Sequence, residues 1–335
     1  MEIKDAVLDV ELNKVKDFLA GFGLSFEANT ELTLYAEEDG QIVGTVSASG
    51  NLIKQMAVSK SMQGENLAAT LITNIIERLN ANNIFAYRVF TKPEYKDLFI
   101  SLGFSPIVEG QKFVALEGGD SSINGAISQL AKKITMEMGY IEQDTAAIVI
   151  NGNPFTEGHL ALCEYALKRH KRLIVFIVEE DGQTFSFKER FALAYLALRQ
   201  YKNAIVLPAT SYIVSKETFP SYFLKSVDEM SVQFALYDTL IFKNYFMPAL
   251  GIKKRYFGSE VTDYMTLYNN IARETFGDGA EFIQRFTKDE EVISAKRIRG
   301  LIEEGEFDKA ISLVPQATRS MFSLMLMQKG FKKQS

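Results

Sequence analysis

The chain has 335 residues, 47% of them hydrophobic and 24% charged, with a formal net charge of −5. That length suits about two domains of roughly 150 residues each, the apolar share excludes a disordered chain, and the acidic balance speaks against nucleic acid as the main partner. A single cysteine, Cys163, excludes an intramolecular disulfide, and two histidines, His159 and His170, exclude most metal centres built from protein ligands.

The N-terminus, MEIKDAVLDVELNKV, has neither the basic start nor the apolar stretch of a signal peptide. Apolar runs such as Leu173 to Val178 fall far short of the roughly 18 residues a membrane span needs, so a soluble, cytoplasmic protein is expected. Leu32 to Ala36 and Ile42 to Val46 alternate apolar and polar residues around Asp39-Gly40, a hairpin signal. A strand is predicted over Leu52 to Val58 and a helix from about Asn66 to Leu79, where Leu67, Leu71, Ile75 and Leu79 recur at helical spacing. Ile84 to Val89 reads as a strand, and Glu94 to Leu102 as a helix stopped by Gly103. Gly118-Gly119-Asp120-Ser121-Ser122 marks a boundary, after which Ile127, Leu130, Ala131, Ile134 and Met138 share one face of a connecting helix.

Beyond the boundary the pattern changes. Ala146 to Ile150 and Leu173 to Val178 are continuous apolar runs separated by turn residues and a helical stretch, about Glu157 to Arg169. This is a strand–helix–strand unit whose strands are covered on both faces, which implies a parallel sheet. The expected organisation is a mixed α/β domain over 1–120, a linker helix over 121–145 and a Rossmann-like parallel-sheet domain over 146–335.

Chemistry concentrates in the turn of that unit, Ile150-Asn151-Gly152-Asn153-Pro154-Phe155-Thr156-Glu157-Gly158-His159. It joins the carboxyl end of a strand to the start of a helix, where backbone N–H groups and the helix dipole favour phosphate. Gly158 lets a ligand approach the backbone, and a histidine in the first helical turn can donate to a phosphate oxygen. Read alone, the same turn also suits a surface histidine with no ligand.

Thr156-Glu157-Gly158-His159 resembles the T/H-x-G-H signature of the nucleotidyltransferase superfamily. Ile293-Ser294-Ala295-Lys296-Arg297-Ile298-Arg299 resembles its I-S-S-T-x-x-R motif, with Ala295 and Lys296 in place of Ser and Thr. Phe185-Ser186-Phe187-Lys188-Glu189-Arg190 resembles its S-x-E-E-R helix start, although Ser186 and Glu189 also make a capping box on their own. Tyr256-Phe257-Gly258-Ser259-Glu260 resembles the segment that closes over adenine. The whole loop Asn151 to His159 is similar to the N-x-N-P-F-T-x-G-H loop of citrate lyase ligases, as are Leu236 to Phe242, Pro248 to Ile252 and Tyr268-Asn269. The first domain agrees: Gln63-Gly64-Glu65-Asn66-Leu67-Ala68 resembles the loop of acetyltransferase (GNAT) domains that cradles the CoA pyrophosphate, with Asn66 at the place of the second glycine.

The resemblance implies a GNAT-like domain followed by an adenylyltransferase-type domain. It also implies an ATP-dependent ligase that adenylates acetate and passes the acetyl group to the thiol of the CoA-like arm on the citrate lyase acyl carrier subunit. His159, Lys296 and Arg299 would be the catalytic residues. Asn153, Pro154, Phe155, Thr156, Gly158, Arg190, Gly258, Glu260 and Ser294 would complete the ATP site, and Mg²⁺ would travel on the phosphates. Gln63, Gly64, Asn66 and Ala68 would receive the CoA-like arm, unless the first domain is only a scaffold. Two other functions are compatible with the same motifs: an adenylyltransferase of NMN or phosphopantetheine, and a regulatory protein that binds ATP and CoA without turnover. Cys163, one turn beyond His159, is expected to be buried packing.

Overall fold

The computed structural model describes residues 1–331 apart from 28, 63–65, 181–182, 215–218, 221, 225, 259–262, 285 and 289–290. The chain divides into two compact units, Met1–Gly125 with Phe219–Tyr237, and Ala126–Thr218 with Asp238–Ser335. The chain leaves the first unit close to the expected boundary, but the Phe219–Tyr237 segment, placed by sequence in the second domain, clusters with the first. Among the described residues no helix is long and apolar enough to cross a membrane.

The first unit holds β1 (Glu2–Asp5), α1 (Asp9–Ala20), β2 (Leu32–Glu38), β3 (Gln41–Ser49), β4 (Leu52–Val58), α2 (Leu67–Ala81), β5 (Ala86–Thr91), α3 (Lys96–Ser101), β6 (Ser105–Glu109) and β7 (Val114–Gly119). They form one seven-stranded sheet in the order β1-β2-β3-β4-β5-β7-β6. The hairpin between β2 and β3 turns at Asp39 (φ 49°) and Gly40 (φ 77°), the two left-handed positions that a two-residue turn of this hand demands. All pairings are antiparallel except β4 with β5, which run parallel and pair only at Leu52↔Arg88 and Ile53↔Val89. Helix α2 closes one face of this sheet with the predicted stripe: Leu67, Leu71, Ile75 and Leu79 are all buried in the core with Val46, Ile53 and Leu116.

The second unit starts within α4 (Ile123–Met138) and continues with β8 (Thr145–Ile150), α5 (Glu157–Leu167), β9 (Arg172–Ile177), α6 (Phe187–Leu198) and β10 (Ala204–Pro208). After α7 (Val227–Ile241) and the one-turn α8 (Met247–Ala249) come β11 (Ile252–Gly258), α9 (Asp263–Phe276), β12 (Ala280–Ile283), β13 (Thr287–Lys288), β14 (Glu291–Val292), α10 (Ala295–Glu303), α11 (Phe307–Ser312) and α12 (Arg319–Gln328). Strands β10-β9-β8-β11-β12 make a five-stranded sheet with every neighbour parallel. All six residues of β9 are buried, the signature of a strand covered on both faces that its continuous apolar run anticipated. The order grows outward from β8 in one direction through β9 and β10, and in the other through β11 and β12. Between β8 and β11 lies the switch point, outside whose carboxyl ends open α/β sheets bind ligands.

Candidate active site

The loop from Asn151 to Thr156 leaves β8 at that switch point and delivers Thr156 as the N-cap of α5. The Thr156 side chain accepts from the His159 N–H (3.2 Å), and the Thr156 N–H donates to His159 Nδ1 (3.0 Å). This is a capping box in which histidine takes the place usually held by Glu or Gln. Because Nδ1 accepts a backbone N–H, the neutral imidazole must carry its proton on Nε2. The cap therefore fixes the tautomer in which the outer nitrogen is a hydrogen-bond donor. The Phe155 ring, 5.4 Å from the imidazole centroid, packs beside it.

The N-terminus of α10 meets this loop. Ser294 caps α10 by accepting from the Arg297 N–H at 3.1 Å. A Cβ at Gly158 would stand 3.0 Å from the Ile293 carbonyl oxygen, so only glycine allows the two helix starts to close on each other without displacement. Arg299 seals the junction, its Nη1 donating to the Asn153 carbonyl at 2.6 Å. Two segments about 140 positions apart in sequence thus share one place, and the positive ends of two helix dipoles converge there. The first turn of α10 carries no acidic residue, while Lys296 is exposed and Arg299 half-buried beside it. In the first turn of α5 the Glu157 N–H is engaged by the Leu313 carbonyl and the His159 N–H by Thr156. Among the described residues this leaves the Gly158 N–H for an incoming acceptor. Such an arrangement selects for a polyanion.

Several expected contacts take other positions. Arg190 is 0% exposed and cannot reach a ligand. Its guanidinium donates to the carbonyls of Phe185 (3.1 Å), Asn151 (2.6 Å), Val178 (3.0 Å) and Glu180 (2.5 Å), and to Asn151 Oδ1 (2.8 Å). It is a clamp that ties the loops after β8 and β9 to the start of α6. The Phe155 side chain is 0% exposed within the core, so any contribution to a ligand comes from its backbone. The side chain of Asn153 is also committed, Nδ2 to Gln183 Oε1 (2.7 Å) and Oδ1 from the Phe185 N–H (3.0 Å), and Pro154 beside it is buried. Ser186 and Glu189 form the capping box of α6, with Glu189 also bound to Lys329 at 2.9 Å. Gly258 ends β11, next to β8 in the sheet, where a Cβ would meet nothing within 4 Å. Glu260, Gln63 and Gly64 lie outside the described residues. In the first unit Asn66 caps α2 in the left-handed conformation (φ 57°), so asparagine supplies the backbone turn that glycine would give, and Ala68, two residues on, is half-buried. Cys163 is fully buried, and burial pushes its thiol well up from the ordinary range.

Asn151 and Gln183 were not singled out by sequence, yet they hold Arg190 and Asn153. Asn151 sits in the loop motif and was open to detection; Gln183 belongs to no pattern. No group of three or more His, Cys, Asp or Glu able to hold a metal occurs among the described residues.

Residues 145–322 match the family described as citrate lyase ligase C-terminal domain, and residues 11–116 match the acetyltransferase (GNAT) domain. The chain is 32% identical to the citrate (pro-3S)-lyase ligase of Klebsiella pneumoniae over 315 residues, covering 90% of each chain. It is 30% identical to the protein of the same name from Escherichia coli K12 over 317 residues, covering 92% of this chain and 89% of that one. Among solved structures, a GNAT-family acetyltransferase from Staphylococcus aureus aligns with 36% of this chain and all of its own, at 14% identity and a TM-score of 0.32.

Proposed function

The chain belongs to the citrate lyase ligase family, and from that footing we propose that it is an AMP-forming ligase that adenylates acetate and acetylates the thiol of the CoA-like arm on the citrate lyase acyl carrier subunit. The observation that carries the proposal is the meeting of two helix N-termini at Gly158 and Ile293, flanked by His159 and Arg299.

In the first step an acetate oxygen attacks the α-phosphorus of ATP, and the bond to the β-phosphate oxygen breaks. Acetyl-AMP forms and pyrophosphate leaves with the bond's electron pair. In the second, the carrier thiolate attacks the acetyl carbonyl carbon and AMP departs, leaving a thioester. Neither step needs a protein nucleophile, so the side chains position groups and offset charge. His159 donates its Nε2 proton as a hydrogen bond to an α-phosphate oxygen, a role its cap-fixed tautomer supports. Thr156, 1% exposed and committed to the cap, sets the start of α5 so that the Gly158 N–H faces the polyphosphate, and Ser294, Lys296 and Arg299 hold the departing pyrophosphate. Arg299 also fixes the Asn153 carbonyl, and through it the height of the loop. Gly258 leaves room for the nucleotide, while Gly158 lets the two helix starts close on each other. Mg²⁺ bound by the phosphates would add charge neutralisation on their oxygens.

ATP–pyrophosphate exchange across a panel of small carboxylic acids tests the reading. Exchange that depends on acetate is expected. Exchange that requires NMN or phosphopantetheine instead would transfer the chain to cofactor biosynthesis, and nucleotide binding without any exchange would make it a sensor.

A further inference from the structure

Strands β4 and β5 part after two pairs of residues, which leaves their inner edges facing each other across an opening toward their carboxyl ends. Parting strands of a parallel pair create the crevice in which open sheets take ligands. The next α-helix in the chain after β4 is α2, which starts at the Asn66 turn. A phosphate-bearing ligand seated there would extend its arm into the opening, and an amide-rich arm would pair with the two free edges as an added strand does.

That opening already has an occupant. Gln55 lies in a bulge of β4, where Ser47↔Lys54 gives way to Thr45↔Ala57, and it is wholly buried at φ 55°. A non-glycine residue held in this conformation costs on the order of 1–3 kcal/mol and persists only where its surroundings enforce it. The hydroxyl of Tyr222 donates to the Phe90 carbonyl of β5 at 2.6 Å. The Ser25 N–H donates to the Tyr222 carbonyl at 3.0 Å, and the Gln55 side chain donates to the Ser25 carbonyl at 2.9 Å. Phe219 stands edge-on to Phe90 at 5.5 Å and to Phe113 at 6.1 Å, and Tyr237 lies 5.0 Å from Phe90. At the far end Gln233 accepts from the Lys112 N–H at 3.1 Å and Glu229 pairs with Lys112.

We propose that the opening between β4 and β5 is the seat of the chain's own Phe219–Tyr237 segment, with Tyr222 in the position a CoA-like arm would need, so that the first unit does not take an acyl-CoA. The acetyltransferase-type sheet then works as an anchor for a returning stretch of chain, and the acyl chemistry belongs to the second unit.

Hydrogen–deuterium exchange on the full-length chain tests this without ATP, so a failure of the adenylation reading leaves it intact. CoA or acetyl-CoA at millimolar concentration is expected to leave uptake over residues 52–71 and 86–91 unchanged. Protection of those peptides by either compound would overturn the proposal. Tyr222→Phe keeps the ring and the packing but removes the hydroxyl. It removes the bond to the Phe90 carbonyl and is expected to speed exchange over residues 222–224 by about tenfold, the value of one hydrogen bond. Unchanged exchange over 222–224 in that variant would equally reject the seat.

Discussion

Thr156 caps α5 and, through its own N–H, holds the His159 ring with the outer nitrogen as a donor. Converting His159 to Ala removes one donor of preorganised charge stabilisation and is expected to lower acetate-dependent exchange by roughly 10²–10³. Circular dichroism would still report a folded protein. Arg190 was readable only as a cation near the same motif. Its burial is set by carbonyls from three separate loops, and no local pattern reveals that they converge. Arg190→Met strands those carbonyls without donors, so a loss of about 3–5 kcal/mol in urea unfolding is expected. A pure ligand contact would leave stability unchanged. Asp144 gives a pH handle: the hydrogen bond with His170 at 2.8 Å holds its carboxyl below the ordinary value of 3.8. A carboxyl depressed by folding stabilises the native state above its unfolded pKa, and that contribution is lost as pH falls through the folded value. The thermal midpoint is expected to drop below pH 3.8, and Asp144→Asn to flatten that drop.

Elements were legible where the pattern was both strong and local. The hairpin at Asp39-Gly40, the α2 stripe and the buried runs of β8 and β9 all appear at the expected places. Short strands escaped. β6 contains Pro106 and a register irregularity against β7, while β12 to β14 span four residues or fewer, too short to establish a period. The start of α5 is the element on which the site depends. Gly158→Ala would place a Cβ at 3.0 Å from the Ile293 carbonyl and push α5 from α10 by a few tenths of an ångström. The expected result is weaker ATP binding in calorimetry with a small change in melting temperature, because Ala is otherwise the better helix residue.

At the scale of the whole molecule, no local pattern marks residues 219–237 as belonging with the first sheet. Their aromatic side chains read equally well as core of either half, and only the long-range partners Phe90 and Phe113 decide between them. Truncation is therefore less simple than a boundary near residue 120 suggests. A chain beginning at residue 126 would leave Phe219, Tyr222 and Tyr237 without the aromatic and backbone groups they pack on, and size-exclusion chromatography is expected to show aggregation. Cys163 reports on integrity from the other unit: buried in the core, it should resist thiol reagents in the native chain and react fully in urea.

The returning stretch also sets an order for synthesis. Domains made first usually fold first as the nascent chain emerges. Here the amino-terminal sheet has all seven of its strands in hand by Gly119 but lacks the filling of its own cleft until Tyr237 has cleared the ribosome. By then β8, β9 and β10 of the following unit are already outside the tunnel. The two halves must mature together, and a translational pause before residue 237 would expose an unfilled aromatic cleft to chaperones.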